Sequence, residues 1–206
     1  VMHDLLSGLN MLHTKYKTIH RDIKAANILL SSDNSVKITD FGVSRQFDSS
    51  TNFTVHTFGT PNWMAPEVIL GEKYTFPVDI WSVGATAIEL LEGAPPYFEF
   101  PPPRAMNEIV AAGFPGFRST TTVSKELSDF IYKCMIYQSS KRPTAEQLLG
   151  HPFVKRSEKL NREVVFKDLL EEEIDFCDLV ADEDIEFIEN LVDFEIPPEY
   201  DEETNK

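Results

Sequence analysis

The sequence predicts a mainly α fold with one short β element near its start. Three observations carry this. Apolar residues keep helical spacing over Met2, Leu5, Leu6, Leu9 and Leu12, and again over Leu127, Phe130, Ile131, Cys134 and Met135 at i, i+3, i+4, i+7 and i+8. Residues 79–91 are apolar nearly all round over helical length, the pattern of a helix buried in a core. Strand-like patterning is confined to Ile28-Leu29-Leu30 and Val36-Lys37-Ile38-Thr39, on either side of the polar turn Ser31-Ser32-Asp33-Asn34.

Composition bounds the size and setting. The chain has 206 residues and 42% hydrophobic side chains, enough for one sizeable core. No apolar run approaches the length that spans a bilayer, and no signal-peptide pattern opens the chain. The cysteines, Cys134 and Cys177, are too few and too far apart for a disulfide framework or a metal site. A reducing, cytoplasmic setting is expected, with Cys134 a buried thiol on its apolar stripe. The net charge is −15, unevenly spread: residues 1–154 hold 13 basic and 15 acidic side chains, residues 155–206 hold 6 and 19. So acidic a surface argues against a nucleic-acid partner.

Taken in order, the first helical stripe runs into His20-Arg21-Asp22-Ile23-Lys24-Ala25-Ala26-Asn27 and then the apolar Ile28-Leu29-Leu30. The second strand-like piece ends at Asp40-Phe41-Gly42. Two acids, a lysine and an amide so spaced can position a hydroxyl, a nucleotide phosphate and a divalent metal together, and Asn27 and Asp40 supply the hard oxygens that suit Mg²⁺. Residues 48–52 are Ser- and Thr-rich without periodicity and are expected to form a mobile loop. Asp79 opens the apolar helix, where a buried acid needs partners or serves as a cap. Gly93-Ala94-Pro95-Pro96 stops that helix, and Pro101-Pro102-Pro103 is expected as a stiff loop before a short helix at 104–112. Ser124 caps the next helix, and Thr144-Ala145-Glu146-Gln147 reads as a capping box for another. His20 and His151 are expected to be structural, since no second ligand type stands at metal spacing.

Those motifs carry a resemblance. H-R-D-x-K-x-x-N followed by D-F-G is similar to the catalytic and metal loops of eukaryotic protein kinases. Lys24 resembles the serine/threonine type, and Gly59-Thr60-Pro61-Asn62-Trp63-Met64-Ala65-Pro66-Glu67 resembles the activation-segment end of the sterile-twenty group. The resemblance covers residues 1–154 and implies the large, C-terminal lobe of a kinase domain, with its short β element around the catalytic and metal loops. It implies transfer of the γ-phosphoryl group of Mg·ATP to protein Ser or Thr in an intracellular signalling cascade. Asp22 and Lys24 are then catalytic, Lys24, Asn27, Leu29 and Asp40 bind the nucleotide, and Asn27 and Asp40 hold Mg²⁺. It implies further that Thr60 bonds Asp22 and Lys24, that Glu67 pairs with Arg142, and that Asp79 braces His20-Arg21. Arg21 offers a guanidinium for a loop phosphate. Where many members of the group carry an activating Thr three residues before the Gly, this chain has His56, which leaves Thr54 and Thr57 as alternatives for phosphorylation.

The 206 residues contain no G-x-G-x-x-G loop and no V-A-I-K-type lysine, so the small lobe is absent from them. The opening on Val1 inside a helix is expected of a fragment, and such a chain is expected to be inactive alone. Residues 155–206 are expected to form an acidic, partly disordered tail. Phe166, Leu169, Leu170, Ile174 and Cys177 would line one helix face, and Ile185, Ile188, Leu191 and Val192 another, with an upstream kinase or adaptor as possible partner. A non-catalytic kinase-lobe interaction module or scaffold is the alternative reading.

Overall fold

The computed structural model describes residues 1–48, 52–157 and 159–171, with side chains through Phe166. Two units separate along the chain, Val1–Val165 and Phe166–Lys206. The first opens on helix α1, Met2–Thr14, whose Leu5, Leu6 and Leu9 are fully buried. Strand β1, Thr18–Ile19, leads into the loop of interest, which makes one 3₁₀ turn at Ala25–Asn27. Strand β2, Ile28–Leu30, pairs antiparallel with β3, Val36–Ile38, with Ile28 opposite Ile38. Strand β4, Arg45–Gln46, returns to pair with β1. That second ribbon has no counterpart in the sequence reading, because two residues per strand leave no periodicity to detect.

Helix α2, Pro66–Ile69, follows a 3₁₀ turn at Pro61–Trp63. Helix α3, Pro77–Glu92, is buried at every residue from Val78 to Ile88 and ends on Gly93 in the left-handed conformation, φ 75°. Helix α4, Pro102–Ala112, begins two residues earlier than expected. Pro102 and Pro103 sit in its first turn, where a missing N–H breaks no helical bond, while the Arg104 and Ala105 N–H groups both donate to the Pro101 carbonyl. The expected stiff loop is thus the start of the helix. Helix α5, Lys125–Cys134, is capped by the Ser124 hydroxyl, and α6, Ala145–Leu149, opens on the Thr144–Gln147 capping box. Helices α7, Pro152–Ser157, and α8, Arg162–Glu171, follow.

The core forms where α3 packs on α5 and α1 on α6, around the fully buried Trp81, Phe130, Ile131, Ile88 and Leu148. Gly84 permits the first contact: a Cβ there would lie 2.5 Å from Met135 Cγ and 2.9 Å from Cys134 Cβ. Burial pushes the Cys134 thiol far above its ordinary pKa, against a smaller opposing effect of Arg142, so it stays protonated. Beyond residue 154, Arg162 makes a forked ion pair with Asp4, at 2.6 and 2.8 Å. The Asp48–Asn52 loop is described only at its two ends. The apolar face at 185–192, Cys177 and the acidic runs of the tail lie outside the described residues. No helix among the described residues is long and apolar enough to cross a membrane.

Candidate active site

The loop from His20 to Asn27 lies against α3. Asp79, fully buried in the first turn of that helix, accepts from the backbone N–H of His20 at 2.9 Å and of Arg21 at 2.8 Å, and pairs with His13 Nε2 at 2.7 Å. Burial pushes this carboxyl up, but the His13 contact and the two backbone N–H groups outweigh it and hold the group below the usual carboxylate range. An ionised Asp79 requires that His13 Nε2 carry the proton. Two consecutive N–H groups aimed at one carboxylate suit the left-handed backbone of Arg21, φ 71°. His20 is buried and structural: Nε2 donates to the Thr39 carbonyl at 3.0 Å, Nδ1 accepts from Asp22 N–H at 3.3 Å, and its ring meets Phe41 edge-on.

Asp22 sits at the centre of a closed hydrogen-bonded cluster. Its Oδ1 accepts from Thr60 Oγ1 at 2.6 Å and Thr60 N–H at 3.1 Å. Its Oδ2 faces Lys24 Nζ at 2.9 Å and Asn27 Nδ2 at 3.0 Å. Lys24 Nζ also donates to Thr60 Oγ1 at 2.8 Å, and Asn27 Nδ2 to the Asp22 carbonyl at 2.8 Å. Burial raises the Asp22 pKa, yet the bonds from Lys24, Thr60 and Asn27 more than reverse this, so the carboxyl is ionised at neutral pH. Chain segments 38 residues apart are thus joined by side chains of three kinds.

Asp40 is held differently. It is exposed, with a left-handed backbone, φ 61°, and Oδ1 accepts from Gly42 N–H at 3.2 Å. Its segment is tied to the loop through Thr39 N–H on the Asn27 carbonyl, 3.0 Å, and no direct bond joins its side chain to Asp22 or Asn27 among the described residues. Because Asn27 turns its nitrogen onto Asp22, its Oδ1 has no donor among the described residues, and neither has Asp40 Oδ2. These two oxygens fit a hard divalent cation such as Mg²⁺. Leu29, 54% exposed on β2, adds an apolar surface nearby in sequence.

The segment before Thr60 packs against the body. Thr54 is buried and bridged to Tyr74 by two backbone bonds, whereas Thr57 is exposed, with its hydroxyl on the Val68 carbonyl at 3.3 Å. The Arg21 guanidinium lies over the Phe58 ring and donates from Nε to the Val43 carbonyl, while its Nη1 and the Arg45 Nε are buried without a partner among the described residues. Glu67 and Arg142 meet in a buried fork, at 2.6 and 2.8 Å, far from Asp22 in sequence on both sides. His13, Ser82, Thr86 and Glu89 escaped the sequence reading. Their signal was available, in the case of the last three, as polar residues on an otherwise apolar helix.

A family model described as protein kinase domain matches residues 1–154. The serine/threonine-protein kinase pakB of Dictyostelium discoideum is 46% identical over 155 residues, 75% of this chain and 18% of that protein. The pakC kinase of the same organism is 46% identical over 154 residues, 75% of this chain and 32% of its own. A pakA kinase of Talaromyces marneffei is 45% identical over 161 residues, 78% of this chain and 25% of its own. The chain therefore spans a third or less of the length of these curated relatives.

Proposed function

Because the chain belongs to the protein kinase domain family, we propose that residues 1–154 are the large lobe of a serine/threonine protein kinase of the sterile-twenty group. It transfers the γ-phosphoryl group of Mg·ATP to protein serine or threonine, within an intracellular, cytoplasmic signalling cascade. The observation that carries this reading is the Asp22–Lys24–Thr60–Asn27 cluster, closed by contacts of 2.6 to 3.1 Å.

Bound Mg·ATP supplies an activated phosphoryl donor whose charge the metal partly neutralises. Asp22 orients the acceptor hydroxyl and takes its proton. Its depressed pKa makes it a weak base, so orientation dominates and the proton moves late. Lys24, whose ammonium adjoins Asp22 and Thr60, would neutralise charge on the transferred phosphoryl group. Asn27 Oδ1 and Asp40 Oδ2 would hold Mg²⁺, and Leu29 would offer an apolar contact to the nucleotide. These 206 residues contain no G-x-G-x-x-G loop or V-A-I-K-type lysine to roof the nucleotide, so the chain alone is expected to be inactive.

Of the two candidate phosphosites, Thr57 suits an upstream kinase and Thr54 does not, since Thr54 is buried in its backbone bridge. Arg21 Nη1 and Arg45 Nε, without a partner among the described residues, are candidate donors for a phosphate on that segment. Residues 155–206 are assigned as an acidic tail available to adaptors. In the full-length protein, Asp22→Asn should lower peptide phosphorylation by at least about a hundredfold. Turnover near the parental level would leave the interaction module as the better reading.

A further inference from the structure

The first four polar side chains of α3 fall at 79, 82, 86 and 89, spacings of three, four and three. That places them in one row along the helix. Each rung contacts a segment that builds the site. Asp79 holds His20 and Arg21 N–H. Ser82 donates to the Trp63 carbonyl at 2.8 Å, and the Thr86 hydroxyl, 2.7 Å from the Ser82 carbonyl of its own helix, also faces the Ile23 carbonyl at 3.3 Å. Glu89 closes the row: its Oε2 accepts from Ala25 N–H at 2.9 Å and from Trp63 Nε1 at 2.9 Å.

Of the four rungs, Glu89 is the one that grips both segments at once. Ala25 directly follows Lys24, and Trp63 stands three residues after Thr60. Lys24 and Thr60 are the two groups that bond each other and Asp22. A single oxygen atom therefore fastens the backbone that carries Lys24 to the side chain that anchors the segment carrying Thr60. The helix beneath is rigid, being buried along most of its length.

We propose that Glu89 is a positioning residue for phosphoryl transfer: it sets the separation of Lys24 and Thr60 by holding Ala25 and Trp63 on one carboxylate oxygen. The inference rests on the kinase reading above. It acts through geometry and not through charge, because both bonds are accepted by one oxygen, which a glutamine carbonyl can replace. A misplacement of about an ångström at the reacting groups is enough to slow turnover by about a hundredfold.

The test compares Glu89→Gln, Glu89→Ala, Trp63→Phe and the double variant Glu89→Ala/Trp63→Phe in the full-length protein, with Asp22→Asn as reference. Steady-state kinetics with a peptide substrate and thermal melts are read together. Glu89→Ala should lower kcat by about ten- to a hundredfold, with a smaller change in KM for the peptide. Glu89→Gln should restore kcat to within about threefold of the parent, and Trp63→Phe should lower kcat in the same sense. Glu89→Ala/Trp63→Phe should be no worse than Glu89→Ala alone, since one interaction has been removed twice. If Glu89→Ala does not fold, Trp63→Phe and Glu89→Gln still decide. A Glu89→Gln variant impaired mainly in KM would overturn the proposal in favour of a charge contact with the peptide. Unchanged kcat in Trp63→Phe and Glu89→Ala, with Asp22→Asn inactive, would overturn it while leaving the kinase reading intact. An active Asp22→Asn would instead remove that reading.

Discussion

Arg142→Leu isolates the buried fork that ties Glu67 to the helical core. Arg142 has no exposed side-chain surface and Glu67 has 6%. Besides the two bonds to Glu67, the guanidinium donates to the carbonyls of Ile136 at 2.7 Å, Pro77 at 3.0 Å and Tyr137 at 2.9 Å, and it lies over the Trp81 ring. Leucine fills much of the volume but leaves the Glu67 carboxylate buried and unpaired, with three carbonyls short of a donor. Breaking a buried pair from one side costs about 3–5 kcal/mol, a large share of the ~5–15 kcal/mol that holds a domain. Urea unfolding followed by tryptophan fluorescence reads this directly, because Trp81 adjoins the fork. The companion Glu67→Leu/Arg142→Leu should be more stable than Arg142→Leu alone, since the stranded charge goes with the second substitution. A loss below about 1 kcal/mol in Arg142→Leu, the value of an exposed pair, would refute the reasoning.

Two further outcomes follow from single contacts. Burial raises the Asp4 carboxyl, but the Arg162 fork, with His3 and the Val36 N–H, overrides this and lowers it from 3.8 to about 2. The folded value is depressed, so this stabilisation is complete above about pH 4 and is lost as the pH falls from there towards 2. Arg162→Ala should shrink the acid-induced drop in melting temperature over that window, and an unchanged drop would exclude the fork as its source. Val43 follows Asp40-Phe41-Gly42, and the resemblance to protein kinases implies that a branched residue there favours threonine over serine acceptors, by about tenfold. Val43→Phe should shift peptide preference towards serine, and a parent that prefers serine would contradict the expectation.

What could be read from the sequence was local. Asp22, Lys24 and Asn27 lie within six residues of one another, and their mutual bonds need only one turn of chain. The caps at Ser124 and Thr144 are likewise written in four residues each. Longer reach defeated the reading wherever one partner carried no motif. His13 meets Asp79 across 66 positions, and Arg162 meets Asp4 across 158. The β1–β4 ribbon is too short for periodicity, and the proline run at 101–103 gives the same composition whether it ends a loop or starts a helix. The row Asp79, Ser82, Thr86, Glu89 was visible as spacing, but overall hydrophobicity of that helix hid it, and only Asp79 was singled out.

The central claim is that Asp22 serves the acceptor hydroxyl while Asp40 serves the metal and nucleotide, and one paired measurement separates them. Titration of Mg·ATP into the full-length protein should give Asp22→Asn an affinity close to the parent, although its turnover is gone. Asp40→Asn should weaken the same binding by about tenfold or more, because a charged oxygen ligand has been replaced by a neutral one. Equal nucleotide affinity in Asp40→Asn and the parent, or a lost affinity in Asp22→Asn, would contradict the assignment of the two acids.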